Sequence, residues 1–347
     1  MDSCLSRGVP VRALFAILLL LAGPVRAASF DPALVEAAAK EGSAVWYTSL
    51  IVDQIVRPMA TAFEARFPAI KVRYARASNT DNTVKLLNEG RARRVQADVV
   101  DVTSGIHSLV EAGLLAAYRP RVAEHYPAVL KDRAGYWTGT NLYFEAVAYN
   151  TNLVQDPPRN FADLLDPKWK GKMAWTSELA VQGPPGFIYN VLTTMGEEKG
   201  MAYLRGLAAQ LPAGIAASPR AVLDQVISGE HALGLMMFNH HAAISIGKGA
   251  PIKMANIEPL VGVFSIVAIM KDAPHPNAAR LLTEFILSDE GQKVMADNDY
   301  LPADPDVPAR IPELRPDAGH FQANYIAPDI SRDGLAKWTA IYHEVFR

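Results

Sequence analysis

Apolar positions along this 347-residue chain keep switching between two periods. Short runs rich in β-branched and aromatic residues read as buried strands, and apolar residues spaced three and four apart read as helix faces. Asp31-Pro32 opens a first helix, with Asp as N-cap, Pro in the first turn and Gly42 just past its end. Ala44–Thr48 predicts a strand. Val52, Ile55, Val56, Met59, Phe63 and Phe67 then recur at helical spacing as far as Pro68. Ile70–Tyr74 predicts a second strand, Asn82–Glu89 a helix, and Ala97–Val102 a third strand before a helix ending near Gly113. This is βαβ rhythm, which implies a mostly parallel sheet covered by helices.

The rhythm restarts further on. Lys172–Trp175 and Ala232–Phe238 predict strands; Gly186–Met195, Pro219–Ser228 and Ala242–Lys248 predict helices. Two longer strand candidates, Leu142–Asn150 and Gly262–Met270, flank this second unit. A chain that crosses to a second lobe and returns would read this way. Leu335–Phe346 predicts a closing helix. The Met236-Met237 pair reads as core.

The first 27 residues change the picture most. Arg7 and Arg12 precede an apolar run from Ala13 to Ala22, then Gly23-Pro24, then the small-x-small triplet Val25-Arg26-Ala27. That is the layout of a secretory signal peptide cleaved after Ala27, and the run is short for a permanent span. The expected product is a soluble, exported, periplasmic protein. The chain carries 34 Lys+Arg and 36 Asp+Glu; removing Arg7, Arg12, Arg26 and Asp2 leaves 31 and 35, a formal charge of −4. A nucleic-acid binder is normally basic, so nucleic acid is not an expected partner. The single cysteine, Cys4, lies in the leader, which removes disulfides, thiolate metal sites and cysteine nucleophiles from the mature chain.

Candidate chemistry gathers where strands end. Thr48-Ser49 follows the first strand, and Ser78-Asn79-Thr80 the second, just after Arg76. Thr103-Ser104 follows the third, Thr176-Ser177 the first strand of the second unit, and Asn239-His240-His241 the strand after it. In open α/β sheets ligands bind beyond the carboxyl ends of strands, and helix N-termini there offer free N–H donors to anions. Ser, Thr and Asn are also the ordinary caps of any helix. Arg76 can pair with a carboxylate or phosphate through its planar fork, or be simply solvated. His240 and His241 can donate to an anion or hold a borderline metal. Neighbours on a helix stand ~100° apart, however, so two such rings seldom reach one ion. The ligand-binding candidates are therefore Ser49, Arg76, Asn79, Thr80, Thr103, Ser104, Thr176, Ser177, His240 and His241, with no metal and no cofactor expected. Gly-x-Gly-x-x-Gly, Walker, Gly-x-Ser-x-Gly and His-Glu-x-x-His motifs are absent, and an enzyme is not expected.

Several segments in order carry a resemblance. They are Val45-Trp-Tyr-Thr-Ser49, Ala97-Asp-Val-Val-Asp101, Leu164-Leu-Asp-Pro-Lys-Trp-Lys-Gly171, Ala221-Val-Leu-Asp-Gln-Val-Ile-Ser-Gly-Glu230, Asn277-Ala-Ala-Arg-Leu-Leu-Thr-Glu-Phe285 and Ser288-Asp-Glu-Gly-Gln292. Over nearly the whole mature chain they resemble the periplasmic solute-binding proteins of ABC importers, in particular the ferric-iron-binding branch. The resemblance implies an α/β, two-lobe, type II periplasmic-binding-protein fold with a hinge and an interlobe cleft. It implies a monomer that delivers a small molecule to an ABC permease in the inner membrane. The expected division is a signal peptide at 1–27, a first lobe from 28–145 with 260–300, and a second from 146–259 with 301–347. Iron-binding members present two adjacent tyrosines where this chain has His240-His241, and many carry a histidine where it reads Leu50-Ile51. A tight ferric site is therefore not expected. A phosphorylated or carboxylated solute, closed upon by hinge motion, is the expected ligand, with ferric iron and then a secreted α/β hydrolase as the alternatives.

Overall fold

A computed structural model describes residues 30–210, 212–215 and 218–347. The signal-peptide segment and its cleavage point lie outside the described residues. The first half runs α1 (Pro32–Glu41), β1 (Ser43–Thr48), α2 (Arg57–Arg66), β2 (Lys71–Arg76), α3 (Asn79–Arg91), β3 (Val99–Val102), α4 (Ile106–Glu111) and β4 (Leu115–Ala116). A long strand, β5 (Thr138–Asn150), leads to β6 (Met173–Thr176), α5 (Pro184–Met195), α6 (Glu197–Ala208), β7 (Ala213–Ile215), α7 (Pro219–Ser228), β8 (Leu233–Phe238), α8 (Asn239–Gly247) and β9 (Ile252–Ala255). A second long strand, β10 (Leu260–Met270), is followed by α9 (Pro276–Leu287), α10 (Asp289–Asp297), β11 (Leu301–Pro302), α11 (Pro316–Gly319), β12 (Ala323–Tyr325) and α12 (Pro328–Phe346).

The main sheet has the order β2-β1-β3-β10-β5-β8-β6-β7. β2-β1-β3 and β8-β6-β7 are parallel triplets, joined through two long antiparallel neighbours, β10 and β5. Each triplet packs its own core. The first contains Trp46, Phe63, Phe144 and Phe285, and the second Trp175, Phe187, Leu204 and Trp338. β5 changes company along its length. Its start pairs with β10 and β11, its end with β8 and β9, and its buried side chains pass from the first core to the second between Ala146 and Val147. Leu301, Ala303, Ala309 and Phe321 pack into the first core, whereas Ile326, Trp338 and Tyr342 pack into the second.

Several elements differ from their sequence signal for local reasons. The helix expected from Val52 begins as a π turn, Val52–Val56, before α2 takes over at Arg57. α6 has Gly200 and Gly206 on its face, which mask the periodicity; a Cβ on Gly200 would meet the Leu192 side chain. α12 starts at Pro328, seven residues before its expected start, and carries Gly334 in its interior. Met236 and Met237 are both buried, as core residues should be. Met236 sits at φ 60°, in the left-handed region a side chain rarely adopts, where β8 shifts register against β5. The two consecutive methionines pack into different clusters there, Met236 with Trp175 and Phe187, Met237 with Val222 and Ile252.

Candidate functional site

β3 and β8 flank β10 and β5, the antiparallel pair at the centre of the sheet order, and β1 lies next to β3. Asn79, the first residue of α3, accepts the Thr103 N–H on its side-chain oxygen at 2.9 Å. Ser49 donates its N–H to the Asp101 carbonyl at 3.1 Å. Thr103 Oγ1 lies 3.1 Å from Ser265 Oγ of β10, and Ser265 Oγ lies 3.1 Å from Tyr143 Oη of β5. A chain of hydroxyls thus links the strand ends of the first half to the crossing strands.

α8 starts at Asn239 rather than Ala242, so His240 and His241 occupy its first turn instead of a loop. Its cap residue, Phe238, offers no side-chain acceptor, which leaves first-turn N–H groups without a capping side chain. The His240 ring is buried among Tyr143 (centroids 5.4 Å), Phe238 (5.7 Å), His241 (4.2 Å) and Tyr300 (5.6 Å). Tyr143 and Tyr300 themselves lie 6.2 Å apart. Glu145 stands two residues beyond Tyr143, on the same face of β5 by strand alternation, and pairs in register with Phe238.

Several buried polar atoms in this group have no hydrogen-bond partner: both oxygens of Glu145, both ring nitrogens of His240, Asp101 Oδ1 and Asn141 Nδ2. Buried polar groups are normally satisfied, so such a concentration marks donors and acceptors directed at something other than the protein. Burial also sets their charge. It raises Asp101 to about 7, against a hydrogen bond from Thr140 that favours the carboxylate. Burial, with the nearby Glu178 charge adding to it, pushes Glu145 far above the ordinary carboxylate range, and burial raises Glu178 as well. Burial drives His240 well below its usual value, helped by His241; it brings His241 down to about 4, helped by Arg220. Tyr143 rises to about 12 for the same reason. At neutral pH Glu145, His240, His241 and Tyr143 are therefore uncharged and Asp101 is about half ionised, so the group holds protons that an arriving cation could displace.

The sequence-derived candidates divide. Ser49, Asn79, Thr103, His240 and His241 belong to this group or brace it, and Ser104 is half-buried at the same strand end. Arg76 is exposed and donates Nε to the Leu50 carbonyl at 3.1 Å, with its charge felt by Tyr300. Thr80 is exposed on the first turn of α3. Thr176 is buried, and its Oγ1 accepts the Glu178 N–H at 3.1 Å, so it shapes the loop that carries Glu178. A Cβ on Gly183 would meet the Glu178 carbonyl, which shows how tightly that loop folds back before α5. Ser177 gives its hydroxyl to the Ile215 carbonyl, joining β6 to β7. Asp101, Tyr143, Glu145, Ser265 and Tyr300 are not strand-end hydroxyls of the kind the sequence singled out. A signal existed for two of them: a carboxylate inside an otherwise apolar strand, as at Asp101 and Glu145, is an expense that folding rarely tolerates without a use.

Two parallel triplets joined by crossing strands, with polar groups converging at the strand ends, is an arrangement shared with known proteins. The family model of the bacterial extracellular solute-binding proteins matches residues 100–318, more than half of the chain. The chain belongs to this family. It is accordingly a solute-binding protein, of the kind that takes up small ligands outside the cytoplasm and works with an ABC permease. Among the described residues no helix is long and apolar enough to cross a membrane. The chain is 25% identical to iron uptake protein A1 of Synechocystis sp. over 251 residues, which are 67% of this chain and 68% of the relative. Its fold is that of type II periplasmic binding proteins. It superposes on Trichodesmium IdiA (FutA), solved with iron and citrate, with TM-score 0.73 and 20% identity, covering 88% of this chain and 99% of the other. It superposes on AfuA of Actinobacillus pleuropneumoniae, solved with fructose-6-phosphate bound, with TM-score 0.70 and 21% identity, covering 88% and 98%.

Proposed function

We propose that this solute-binding protein captures a metal cation, with iron as its cargo, at the group formed by Asp101, Tyr143, Glu145, His240, His241 and Tyr300. The observation that carries the reading is the set of partnerless oxygen and nitrogen atoms on Asp101, Glu145 and His240, with Arg76 the nearby cation whose charge reaches Tyr300. Arg220 is committed to Asp224 and Ser245, and Arg76 is exposed and held by its Nε to the Leu50 carbonyl. Carboxylate, imidazole and phenol together suit iron among the transition metals. The phenols missing at positions 240 and 241 come instead from β5 and from Tyr300, and this removes the sequence-based objection to a ferric site. Iron uptake by the curated relative points the same way. The chain works without catalysis as a periplasmic monomer. It closes two lobes around the crossing strands, the first built on β2-β1-β3 and the second on β8-β6-β7, with the tail returning to the second lobe near Ile326.

A phosphorylated or carboxylated solute is the second reading. It is favoured by the uncapped start of α8 and by the hydroxyls of Ser49, Thr103 and Ser104, and the fructose-6-phosphate neighbour shares the fold. The two readings predict opposite pH slopes. A cation displaces protons from Asp101 and Glu145, so its affinity rises with pH. An anion needs those protons as donors, so its affinity falls as pH rises past about 7. Calorimetric titration of the pure protein with ferric citrate and, separately, with fructose-6-phosphate at pH 6 and pH 8 separates them. Ferric binding that strengthens at pH 8, with a visible phenolate-to-iron band, supports the proposal. Absence of ferric binding beside sugar-phosphate binding that weakens at pH 8 refutes it in favour of the second reading.

A further inference from the structure

A second cluster of metal-ligating side chains lies outside the cleft group. His125 follows a 3-10 turn, Arg121–Ala123, and its Nε2 is 2.9 Å from Asp304 Oδ1 and 3.7 Å from Asp306 Oδ2. One donor atom from each of the three lies within 4.8 Å of the other two. Asp304 is fully buried, whereas His125 and Asp306 reach solvent. Asp304 Oδ1 also accepts the Asp306 N–H at 2.8 Å, but its Oδ2 is buried with no partner. A carboxylate oxygen taken out of water with nothing to bind is costly, and a cation is a direct remedy. Glu124 and Asp289 line the same groove, whose other acids, Glu290 and Asp297, face Arg66 and Lys293, so its charge is mixed.

We propose that His125, Asp304 and Asp306 form a site for a divalent cation of borderline character, with zinc as the representative probe. Metal–donor distances of 2.0–2.2 Å around a tetrahedral ion place its ligands roughly 3.3 Å apart. The 2.9 Å His125–Asp304 contact is a hydrogen bond through Oδ1; replacing its proton by an ion needs the pair to open by a few tenths of an ångström and Asp306, now at 3.7 Å, to close by as much. Two carboxylates balance a doubly charged ion, and solvent completes the shell on the open side, where His125 and Asp306 are accessible. The site is distinct in its donors from the cleft group and does not depend on what the cleft binds.

Its place in the fold gives it a role. Asp304 begins a segment that walls His240. Gln292 Oε1 accepts the Ala303 and Asp304 N–H groups, and Arg315 Nη1 donates to the Asp304 and Val307 carbonyls. Asn239 Nδ2 donates to the Leu314 carbonyl, and Ile311 and Leu314 lie beside His240 and Tyr300. A cation that ties His125 to Asp304 and Asp306 orders this wall from its outer end.

The test is zinc calorimetry on three forms of the protein: wild type, His125→Ala/Asp306→Asn, and His240→Phe/His241→Phe. The last keeps ring packing in the cleft but removes its imidazoles. Both substitutions in the second form are at solvent-accessible side chains, and circular dichroism checks that it is folded. The expected result is one zinc equivalent lost, or weakened at least tenfold, in His125→Ala/Asp306→Asn and retained in the cleft variant, with ferric citrate binding of the former unchanged when measured without zinc. Unaltered zinc stoichiometry and affinity in His125→Ala/Asp306→Asn overturns the site. So does loss of all zinc binding in the cleft variant alone, a result that leaves the proposed cleft function standing.

Discussion

Asp101→Asn gives the sharpest check on the electrostatics of the cleft. The Asp101 carboxyl is fully buried, accepts one hydrogen bond from Thr140 at 3.2 Å, and leaves Oδ1 without a partner. Its folded-state value is about 7, against roughly 3.9 in an unfolded chain. The folded state therefore holds a proton that the unfolded state has released. Below the unfolded value both states are protonated and the wild type loses nothing. As pH rises from about 4 to about 7 the unfolded state is increasingly favoured, by ~1.4 kcal/mol per pH unit, and above about 7 the loss is constant. The interval of about three units corresponds to an upper limit near ~4 kcal/mol. Asparagine keeps the acceptor for Thr140 and cannot ionise, so it escapes this loss. Urea unfolding followed by tryptophan fluorescence, to which the buried Trp46 contributes, should show Asp101→Asn more stable than wild type by about 2–4 kcal/mol at pH 8. The gap should shrink to within about 1 kcal/mol at pH 4.5. A gap that is absent at pH 8, or equal at both pH values, would mean that Asp101 is ionised in the fold and that the cleft is not held neutral by burial.

Three further outcomes follow from the same geometry. Tyr143→Phe removes one phenol and its bond to Ser265; ferric affinity should fall at least tenfold and the visible band should shift or fade, while apo stability changes by about 1 kcal/mol. Glu145→Gln should weaken the ligand at least tenfold and, because the folded carboxyl is raised far above its unfolded value, should stabilise the apo protein at pH 8 but not at pH 4, as read by thermal melts at both values. His241 carries the opposite sign. Its folded value of about 4 lies below the ordinary imidazole value near 6.5, so the wild type should lose stability between pH 6.5 and 4 by up to about 3 kcal/mol relative to His241→Phe, and parallel urea curves for the two proteins would sink the idea.

The sequence by itself determined the layers. Apolar periodicity marked β1, β3, β8 and their helices, because a buried strand and an amphipathic helix must each write their period into the chain. It also placed Ser49, Asn79, Thr103 and the histidine pair at strand ends. Legibility stopped where periodicity is silent: α6 is masked by Gly200, packed on Leu192, and Gly206, packed on Leu165, and the positive φ of Met236 has no mark in the apolar pattern of β8. Only the tertiary structure decided which polar residues meet. Asp101, Tyr143, His240 and Tyr300 come from β3, β5, the first turn of α8 and the stretch before β11, and no spacing links them. It also separated Ser177, spent on the Ile215 carbonyl, from Thr103, which looks identical as a strand-end hydroxyl. Charge was the last thing to be decided. A carboxyl, a phenol and an imidazole have ordinary acidities as sequence letters, and it is the removal of water by packing from both cores that holds the three types neutral in one place.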